Sequence, residues 1–465
     1  MPTPPSDPAP ESSPAGASQP SAVLTTPLDG AHGEPEQTEV GNYFVANYPP
    51  FSFWKQEAVP AVEALLEQPA PDTPLGLYFH IPFCRKRCHF CYFRVYTDKN
   101  AGEIKAYLDA AISEFETYAK KPYLAGRKPK FVYFGGGTPS YLSVPQLQDL
   151  TDRMKAIMPW DEAEEVAFEC EPGTLTEKKL ENIRDLGVTR LSLGVENFDD
   201  HILELNGRAH RSKEIERAYL FAKSLGFPQI NIDLIAGMMD ETEDNWKRCI
   251  EKAIELDPEC VTIYQMEVPY NTTIYKEMKQ QGKFSAPVAD WATKRRWVDY
   301  AFDQFEQAGY TVSSAYTVVK DPDKTKFVYR DALWEGADLL PLGVASFGQL
   351  GGIHLQNQAD VGPYMMAIDK GESPIFRAHV TTAEERLVRE FILQLKLGRT
   401  SISYYQGKFG VDVLEKFAAP LKHLQDEGFF SIDGDYILVS RAGLLQIDRL
   451  LHEFFLEQHR DARYT

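Results

Sequence analysis

Three of the six cysteines in this 465-residue chain, Cys84, Cys88 and Cys91, fall within eight positions. Thiolates with this spacing can hold one iron–sulfur cubane, each binding a different iron and leaving the fourth iron without a protein ligand. The iron without a protein ligand can bind a chelating small molecule. Zinc is the alternative, but structural zinc normally takes four Cys or His ligands, and His89 is awkwardly placed between two of the cysteines. The spacing therefore favours an iron–sulfur cluster.

The charge and cysteine content narrow the class of protein. Arg85, Lys86 and Arg87 favour thiolates locally, yet 49 Lys and Arg against 68 Asp and Glu give a net charge of -19. Such an acid excess disfavours a nucleic-acid or anionic-membrane partner, and no apolar run approaches the roughly 20 residues of a membrane span. Six cysteines are too few for a disulfide framework at this length. We expect a cytoplasmic protein that acts on a small molecule.

From Gly76 onward, short β-branched and aromatic runs alternate with amphipathic stretches, which predicts βαβ units and a parallel sheet. The predicted strands are Gly76–Ile81, Lys130–Phe134, Glu165–Cys170, Arg190–Gly194, Gln229–Ile235 and Cys260–Gln265. The predicted helices between them are Ile104–Ala119, Val144–Ile157, Glu177–Asp185, Lys213–Ser224 and Glu243–Glu255. Several strands stop at glycine or glutamate. Because the carboxyl ends of such strands share one edge, we expect a single ligand site there.

The two ends of the chain have different compositions. Residues 1–42 are rich in proline and small residues, with too little apolar periodicity to offset the entropy of ordering, so we expect a disordered tail. Residues 1–30 also lack the basic start and apolar stretch of a secretory signal. The aromatic residues of segment 43–75 can dock it on the main body.

A separate C-terminal domain is predicted over residues 381–465. Helices at Glu384–Leu397 and Leu414–Glu427 precede a hairpin at Phe429–Val439 and a closing helix at Arg441–Phe455, with Ser440 as its cap. Helices with a two-stranded wing are typical of a winged-helix domain. Acidic residues in the last helix favour a packing role over DNA binding.

The segment from Tyr78 to Cys91 resembles the cluster motif of the radical S-adenosylmethionine superfamily. Its Tyr-x-His-Ile-Pro-Phe-Cys start is similar to the branch that contains oxygen-independent coproporphyrinogen III oxidases and heme chaperones. The resemblance covers about Gly76 to Glu457. Five further motifs occur in the expected order, at residues 134–140, 169–174, 190–196, 231–237 and 334–338. One glycine-rich loop would be a weak signal, but five ordered motifs around a cysteine triad are a strong one.

The resemblance implies an α/β fold: a partial (β/α)6 barrel at 76–320, a pocket-covering linker at 321–380 and the winged-helix-like domain. It also implies a [4Fe-4S] cluster whose open iron is chelated by S-adenosylmethionine, with one or two molecules of that cofactor. One electron, from a donor such as flavodoxin or ferredoxin, then cleaves the cofactor to a 5'-deoxyadenosyl radical that abstracts hydrogen. The protein holds the cofactor and excludes water and oxygen.

The resemblance places nine positions at the cofactor: Tyr78, Phe90, Gly136, Gly137, Thr138, Glu169, Glu196, Arg208 and Asp233. Arg208 matches the residue that pairs with the methionyl carboxylate, a task suited to a guanidinium fork. Asp233, expected to end a strand near the adenosyl group, could instead cap a helix. Glu196 departs from the family, whose members usually have glutamine there; an ionised carboxylate accepts hydrogen bonds but cannot donate them.

The glycines and aromatics of this set also have simpler interpretations. Bare backbone at Gly135 to Gly137 allows close approach to the methionyl amino group, but it also suits a tight turn. Tyr78 and Phe90 could simply be core residues. Among catalytic candidates, His80 could serve a proton role or only bond a strand end, and Cys170 could act on an intermediate or only pack.

Two departures bear on the substrate. Phe93 stands where the oxidases have a fourth cysteine, and Tyr329 to Leu333 replace a heme-binding His-Asn-x-x-Tyr element. His210 and His354 remain as heme ligands, although a lone histidine is more often structural. We therefore favour an enzyme that modifies an unactivated carbon of a planar or conjugated substrate, by tetrapyrrole side-chain oxidation or C-methylation. The alternative is a heme chaperone that keeps the cluster without turnover.

Overall fold

Six parallel strands form the centre of the sheet, in sequence order, as predicted. They are β1 Leu75–Ile81, β2 Pro129–Gly136, β3 Glu165–Cys170, β4 Arg190–Glu196, β5 Gln229–Ala236 and β6 Cys260–Gln265. Each bound lies within two residues of its prediction, because buried parallel strands are continuous β-branched and aromatic runs. The structure, a computed structural model, describes residues 37–39, 41, 43–283, 285–460 and 462.

Helices connect these strands and complete the partial (β/α)6 barrel. The first nine are α1 Val59–Leu66, α2 Ala101–Ala119, α3 Val144–Ile157, α4 Glu177–Asp185, α5 Asp200–Leu205, α6 Ser212–Ser224, α7 Glu243–Leu256, α8 Thr273–Gln280 and α9 Trp291–Gln307. Side-chain caps set several of their starts. Asn100 accepts from Gly102 N and Glu103 N at the start of α2, and Ser143 accepts from Gln146 N at the start of α3. The carboxyl ends of β1 to β6 meet at one edge, called the mouth below.

The expectation of a linker at 321–380 is wrong, because most of this region extends the sheet. Strands β7 Thr311–Ser314 and β8 Thr317–Val319 follow β6, and β9 Asp338–Leu342, β10 Phe347–Leu350, β11 Ile353–Asn357 and β12 Ile375–Val380 continue from β1. Helices α10 Val328–Trp334 and α11 Val361–Asp369 lie among them. Glycines make the tight connections between some of these strands. Gly351 and Gly352, both with positive φ, join β10 to β11.

The C-terminal domain has the predicted wing and the first predicted helix, but the helix predicted at Leu414–Glu427 is two helices that meet at Phe417, whose backbone is not helical. Its elements are α12 Ala383–Leu395, β13 Arg399–Ser401, α13 Ile402–Phe409, α14 Val413–Lys416, α15 Ala418–Asp426, β14 Phe430–Asp433, β15 Tyr436–Val439, α16 Arg441–Leu444 and α17 Ile447–Leu450. Strand β13 pairs with β15 and makes a three-stranded sheet. Ser440 caps α16 as predicted, accepting from Gly443 N at 3.1 Å.

The predicted continuous closing helix at Arg441–Phe455 is wrong, because Gln446 leaves the helical conformation between α16 and α17. Three groups bond to Asp448 on the second piece: Lys396 Nζ at 2.6 Å and Val45 N at 2.8 Å from its Oδ1, and Tyr316 OH at its Oδ2. This network ties the C-terminal domain to the segment that precedes the barrel. The charge-assisted bonds to the Asp448 carboxylate offset the backbone hydrogen bonds that are lost where the helix breaks at Gln446.

Order begins earlier than the predicted boundary at residue 43. Thr38 is 1% exposed; its hydroxyl donates to Ala289 O at 2.7 Å and accepts from Lys294 Nζ at 2.7 Å. Hydrogen bonds of its side chain therefore hold Thr38 in place. The prediction of a disordered tail considered only the spacing of apolar residues, which does not indicate such bonds. The rest of the predicted disordered tail, 1–36, 40 and 42, lies outside the described residues. Among those described, no helix combines the length and apolar character needed to span a membrane.

Candidate functional site

The three predicted ligand cysteines lie in a loop that follows β1 at the mouth. Cys84 N donates to Tyr96 O at 3.1 Å, and Cys91 N donates to Cys88 O at 3.2 Å, so backbone bonds define the loop. Burial raises the pKa of the Cys84 thiol to about 12 and that of Cys91 to about 11. Thiols this hard to ionise need nearby positive charge or a metal to hold them as thiolates.

Two side chains supply hydrogen bonds to these sulfurs. Thr138 Oγ1 donates to Cys84 Sγ at 3.3 Å, and Arg208 Nη1 donates to Cys88 Sγ at 3.1 Å. Both donors would stabilise thiolate sulfur, and Arg208 adds a full positive charge. The sulfur environment therefore fits an anionic cluster.

The geometry of a cubane differs from that of a single ion. Within the described ranges, no three His, Cys, Asp or Glu side chains surround one point as they would a lone metal ion. The ligands of a cubane need not converge on one point, because each of its three cysteines binds a separate iron. His89, the fourth ligand of the zinc alternative, lies with Nδ1 3.0 Å from Leu205 O.

The glycines after β2 bring backbone close to the cysteine loop. A Cβ on Gly137 would lie 3.0 Å from Cys84 Sγ, and one on Gly136 would lie 2.7 Å from the His80 ring. Gly136 also has φ of 114°, which a residue with a side chain rarely adopts. The turn is therefore tight, and the backbone at Gly136 and Gly137 is bare toward the cysteine loop.

Two of the predicted carboxylates point into the barrel. Glu169 accepts from Tyr133 OH at 2.7 Å and from Gly136 N at 3.1 Å, and burial raises its pKa to about 7. Asp233 accepts from Ser192 Oγ at 3.0 Å and Asn231 Nδ2 at 2.9 Å, and burial raises its pKa too. The expectation that Asp233 ends its strand or caps a helix is wrong, because it lies inside β5 and pairs with Thr262 of β6.

Glu196 and Arg208 form a buried ion pair at the end of β4. Arg208 Nη2 lies 3.3 Å from Glu196 Oε1. Glu196 also has a positive φ, which is unusual for a residue with a side chain. Burial raises the pKa of Glu196 to about 7, although Arg208 opposes the rise. The same guanidinium donates from Nη2 to Gly194 O. Its buried Nε has no hydrogen-bond partner among the described residues, so one donor remains for a ligand.

Sequence reasoning missed a clamp beside this pair, formed by Arg85, Glu171 and His210. Arg85 Nε and Nη2 donate to the two oxygens of Glu171 at 3.1 and 3.2 Å, and His210 Nδ1 lies 3.0 Å from Glu171 Oε1. Arg85 Nη2 also donates to Ala209 O at 2.9 Å. The clamp therefore links the cysteine loop, the end of β3 and the segment that carries Arg208. The available signal was a carboxylate at a strand's carboxyl end, two residues before Gly173.

The weaker candidates have structural partners. Tyr78 OH lies 3.1 Å from His80 Nδ1, and burial lowers the pKa of His80 to about 4. His80 Nε2 is buried without a partner in the described part of the chain. Cys170 lies in the hydrophobic core next to Glu169 on β3, where burial raises the pKa of its thiol. Phe90 packs against two small groups of buried aliphatic side chains that include Met238 and Met239.

The two histidines considered as heme ligands are engaged by the protein. His210 is fully buried, with Nδ1 near Glu171 and Nε2 3.3 Å from Val195 O. His354 stacks on Trp54 at 5.2 Å, and its Nε2 lies 3.1 Å from Tyr48 O. Both arrangements are those of structural histidines.

The fold and this site define a radical S-adenosylmethionine protein. The profile of the Radical SAM superfamily matches residues 78–253, and that of the HemN C-terminal domain matches residues 381–445. The chain therefore contains a Radical SAM domain and a HemN C-terminal domain, and it resembles the branch that contains oxygen-independent coproporphyrinogen III oxidases and heme chaperones. The superfamily uses a [4Fe-4S] cluster and S-adenosylmethionine.

Relatives of both kinds align over most of the chain. The heme chaperone HemW of Bacillus subtilis is 29% identical over 376 residues, which are 79% of this chain and 96% of that protein. The oxygen-independent coproporphyrinogen III oxidase of Escherichia coli is 26% identical over 391 residues, 81% of this chain and 84% of that enzyme. The solved structure of the Escherichia coli oxidase HemN covers 90% of this chain with a TM-score of 0.77 at 24% identity. The fold is therefore that of HemN.

Proposed function

We propose that this chain is a radical S-adenosylmethionine oxidoreductase that oxidises a side chain of a tetrapyrrole or similar conjugated molecule. The observation that carries the proposal is the position of Arg208. Its guanidinium joins Cys88 Sγ to the buried carboxylate of Glu196 and keeps Nε without a partner among the described residues. A fixed donor beside a cluster ligand is what a cofactor carboxylate at the open iron requires.

The residues around Arg208 would hold the cluster and bind the other groups of the cofactor. Cys84, Cys88 and Cys91 would hold the cluster, which with S-adenosylmethionine supplies one-electron, hydrogen-abstracting chemistry when bound. Glu169 offers an anionic oxygen to a cationic amino group, and Glu196 and Asp233 offer acceptors to hydroxyl and amine groups. The bare backbone at Gly136 and Gly137 leaves room for the cofactor against the cysteine loop.

Burial gives the pocket its electrostatic character. The pKa values of Glu169 and Glu196 lie near 7 because both carboxyls are desolvated. Binding of a cationic cofactor would favour their ionised forms and release protons. An electron must come from outside the chain, and we propose a protein donor such as flavodoxin or ferredoxin.

A heme carrier is the second candidate, favoured by the 29% identity to a heme chaperone and by Phe93 in place of the oxidases' fourth cysteine. The contacts of His210 and His354 weigh against these two as axial ligands. The comparisons give no support for methyl transfer.

The test begins with anaerobic reconstitution of the cluster, followed by mass spectrometry of S-adenosylmethionine with dithionite. We expect 5'-deoxyadenosine and methionine from the wild-type protein. Arg208→Met should weaken cofactor binding by about 10- to 100-fold, the value of a charge-assisted pair. The affinity is measured per bound cluster, because the variant also loses the bond to Cys88 Sγ. Arg153→Met is the matched control, since Arg153 pairs with Asp109 on the outer helices.

Product analysis then separates the candidates. With a porphyrinogen as acceptor, deoxyadenosine together with an acceptor that has lost hydrogen and carbon dioxide supports side-chain oxidation. Tight heme binding by a protein that cleaves no S-adenosylmethionine would refute the enzyme and favour the carrier.

A further inference from the structure

Residues 326–330, here called the plug, lead into α10 and lie across the amino end of the barrel. Gln229, the first residue of β5, donates from Nε2 to Lys326 O at 3.0 Å. Glu165, the first residue of β3, accepts from the first two backbone N–H groups of α10 at 3.1 Å each. Two barrel strands therefore hold the plug by hydrogen bonds at the end opposite to the mouth.

The plug enters the barrel on its inward face. Arg190, the first residue of β4, is 2% exposed and places its guanidinium 4.2 Å from the centre of the Phe327 ring. Such a cation is attracted to the face of an aromatic ring. Arg190 shares its face of β4 with Ser192, whose hydroxyl donates to the inward-pointing Asp233 at 3.0 Å, because side chains two residues apart in a strand point the same way. The plug therefore packs inside the barrel, below the residues at the mouth.

Tyr329 connects the plug to a carboxylate at the mouth. The centre of its ring lies 4.3 Å from that of Tyr133 and 5.5 Å from that of Phe131, both on β2. Tyr133 OH donates to Glu169 Oε1 at 2.7 Å. Glu169 Oε2 accepts from Gly136 N at 3.1 Å. A continuous line of contacts therefore runs from the plug to Glu169 and the glycine turn after β2.

We propose that Tyr329 is a positioning residue for the cofactor pocket and acts on Glu169 through Tyr133. A ring packed beneath Tyr133 restricts the rotamers of that side chain and so fixes the direction of its hydroxyl group. The fixed hydroxyl group in turn holds the Glu169 carboxylate in one orientation. This inference rests on the proposed function, in which Glu169 faces a cationic amino group of the cofactor.

The plug also gives a structural role to a position that differs from the heme chaperones. Tyr329 stands where those proteins have the histidine of their His-Asn-x-x-Tyr element. In this chain its ring packs against Tyr133 and Phe131 inside the barrel. An aromatic ring at position 329 therefore supports the cofactor pocket from below.

The first test is hydrogen–deuterium exchange of the reconstituted, full-length protein before S-adenosylmethionine is added. The Gly136 amide reports the position of Glu169, because it donates to that carboxylate. We expect about tenfold faster exchange at Gly136 in Tyr329→Leu and in Tyr133→Phe, the value of one hydrogen bond to a charged group. Tyr329→Phe should exchange as the wild type does, because it keeps the ring. Phe305→Leu is the matched control, since it removes a fully buried ring on α9.

The second test is a double-mutant cycle on the affinity for S-adenosylmethionine, measured per bound cluster. We expect Tyr133→Phe to weaken binding about tenfold and Tyr329→Leu about three- to tenfold, the value of one aromatic pair. The double variant should bind no more weakly than Tyr133→Phe alone, because Tyr329 acts through the Tyr133 hydroxyl group. Independent effects would instead multiply to about thirtyfold or more.

Each outcome supports or overturns the positioning role. Unchanged exchange at Gly136 in Tyr329→Leu would refute it, and so would multiplied effects in the double variant. Faster exchange in Tyr329→Phe would assign the effect to the hydroxyl group of Tyr329, and faster exchange in Phe305→Leu would assign it to general loosening; either result overturns the proposal. A wild-type protein that binds no S-adenosylmethionine would refute the proposed function, whereas the exchange experiment, which contains no cofactor, still decides whether Tyr329 positions Glu169.

Discussion

Replacing Glu171 with alanine should loosen the cysteine loop, because one carboxylate holds three separate segments. It accepts two bonds from Arg85, lies 3.0 Å from His210 Nδ1 and accepts from Gly173 N at 3.1 Å. His210 is fully buried and would lose its partner, whereas Arg85 is about a third exposed and could turn to water.

The expected magnitude follows from that difference in exposure. Burial lowers the pKa of His210, so its contact with Glu171 is a hydrogen bond to a charged group, worth about 1.5 to 3 kcal/mol. Arg85 retains solvent and its bond to Ala209 O. Because Glu171 also accepts from Arg85 and Gly173 N, we expect the upper end, about 3 kcal/mol. In a chain of this length that is a decrease of about 3 °C in the unfolding midpoint. Local loosening should also lower iron content after reconstitution.

The effect should depend on pH in a defined direction. Burial would raise the pKa of Glu171, but the hydrogen bond with His210 and the charges of His210, Arg85 and Arg208 together lower it below its ordinary value of 4.5. A lowered folded pKa means that the clamp stabilises the protein fully above pH 4.5 and is lost as the pH falls through the folded value. The difference between wild type and Glu171→Gln should therefore be largest near neutrality and shrink in acid.

Calorimetry of the apo-protein and iron analysis after reconstitution measure both effects. Glu164→Ala is the control, since Glu164 is exposed and pairs with Lys130 at 3.5 Å. We expect its change in the free energy of unfolding to stay within about 0.5 kcal/mol. A Glu171→Ala protein that unfolds at the wild-type temperature and binds the full complement of iron would refute the clamp.

Three further predictions concern the same region. Gly173→Ala should reproduce the loss of iron, because its Cβ would lie 2.0 Å from the Arg85 guanidinium, while Gly362→Ala meets nothing within 4 Å and should behave as wild type. Cys88→Ala should abolish the cluster absorbance while buried Cys249→Ala retains it, and full cluster content in Cys88→Ala would refute the ligand assignment. The raised pKa of Glu169 predicts that apo-protein stability falls as pH rises from 4.5 to about 7. Thermal scans of Glu169→Gln should show a smaller fall, and an unchanged slope would contradict the assignment.

The sequence was sufficient wherever the determining pattern is local. Spacing alone brought Cys84, Cys88 and Cys91 into one loop, and β-branched runs located the six barrel strands to within two residues. Helix starts were predictable too: Ser440 caps α16 within its own turn. Such features depend on residues only a few positions away in the sequence, so they can be predicted from the sequence alone.

Local patterns misled where long-range pairing decides the structure. Residues 321–380 were expected to form a linker, but they include β9, which pairs with β1 although the other five barrel strands lie between them in the sequence. The resemblance placed Asp233 at a strand end, although the predicted strand continued to Ile235. Its hydrogen bonds to Ser192 and Asn231 and its pairing with Thr262 show that it is inside the barrel.

The chain order thus determined which residues can bind a cluster, which fold class they require and which family they resemble. Only the tertiary structure decided how those residues are held. Arg208 contacts Cys88 across 120 positions of sequence, and Glu171 reaches Arg85 across 86. Hydrogen bonds, burial and shifted pKa values act over a few ångströms in space, so they arise only when folding brings distant segments together.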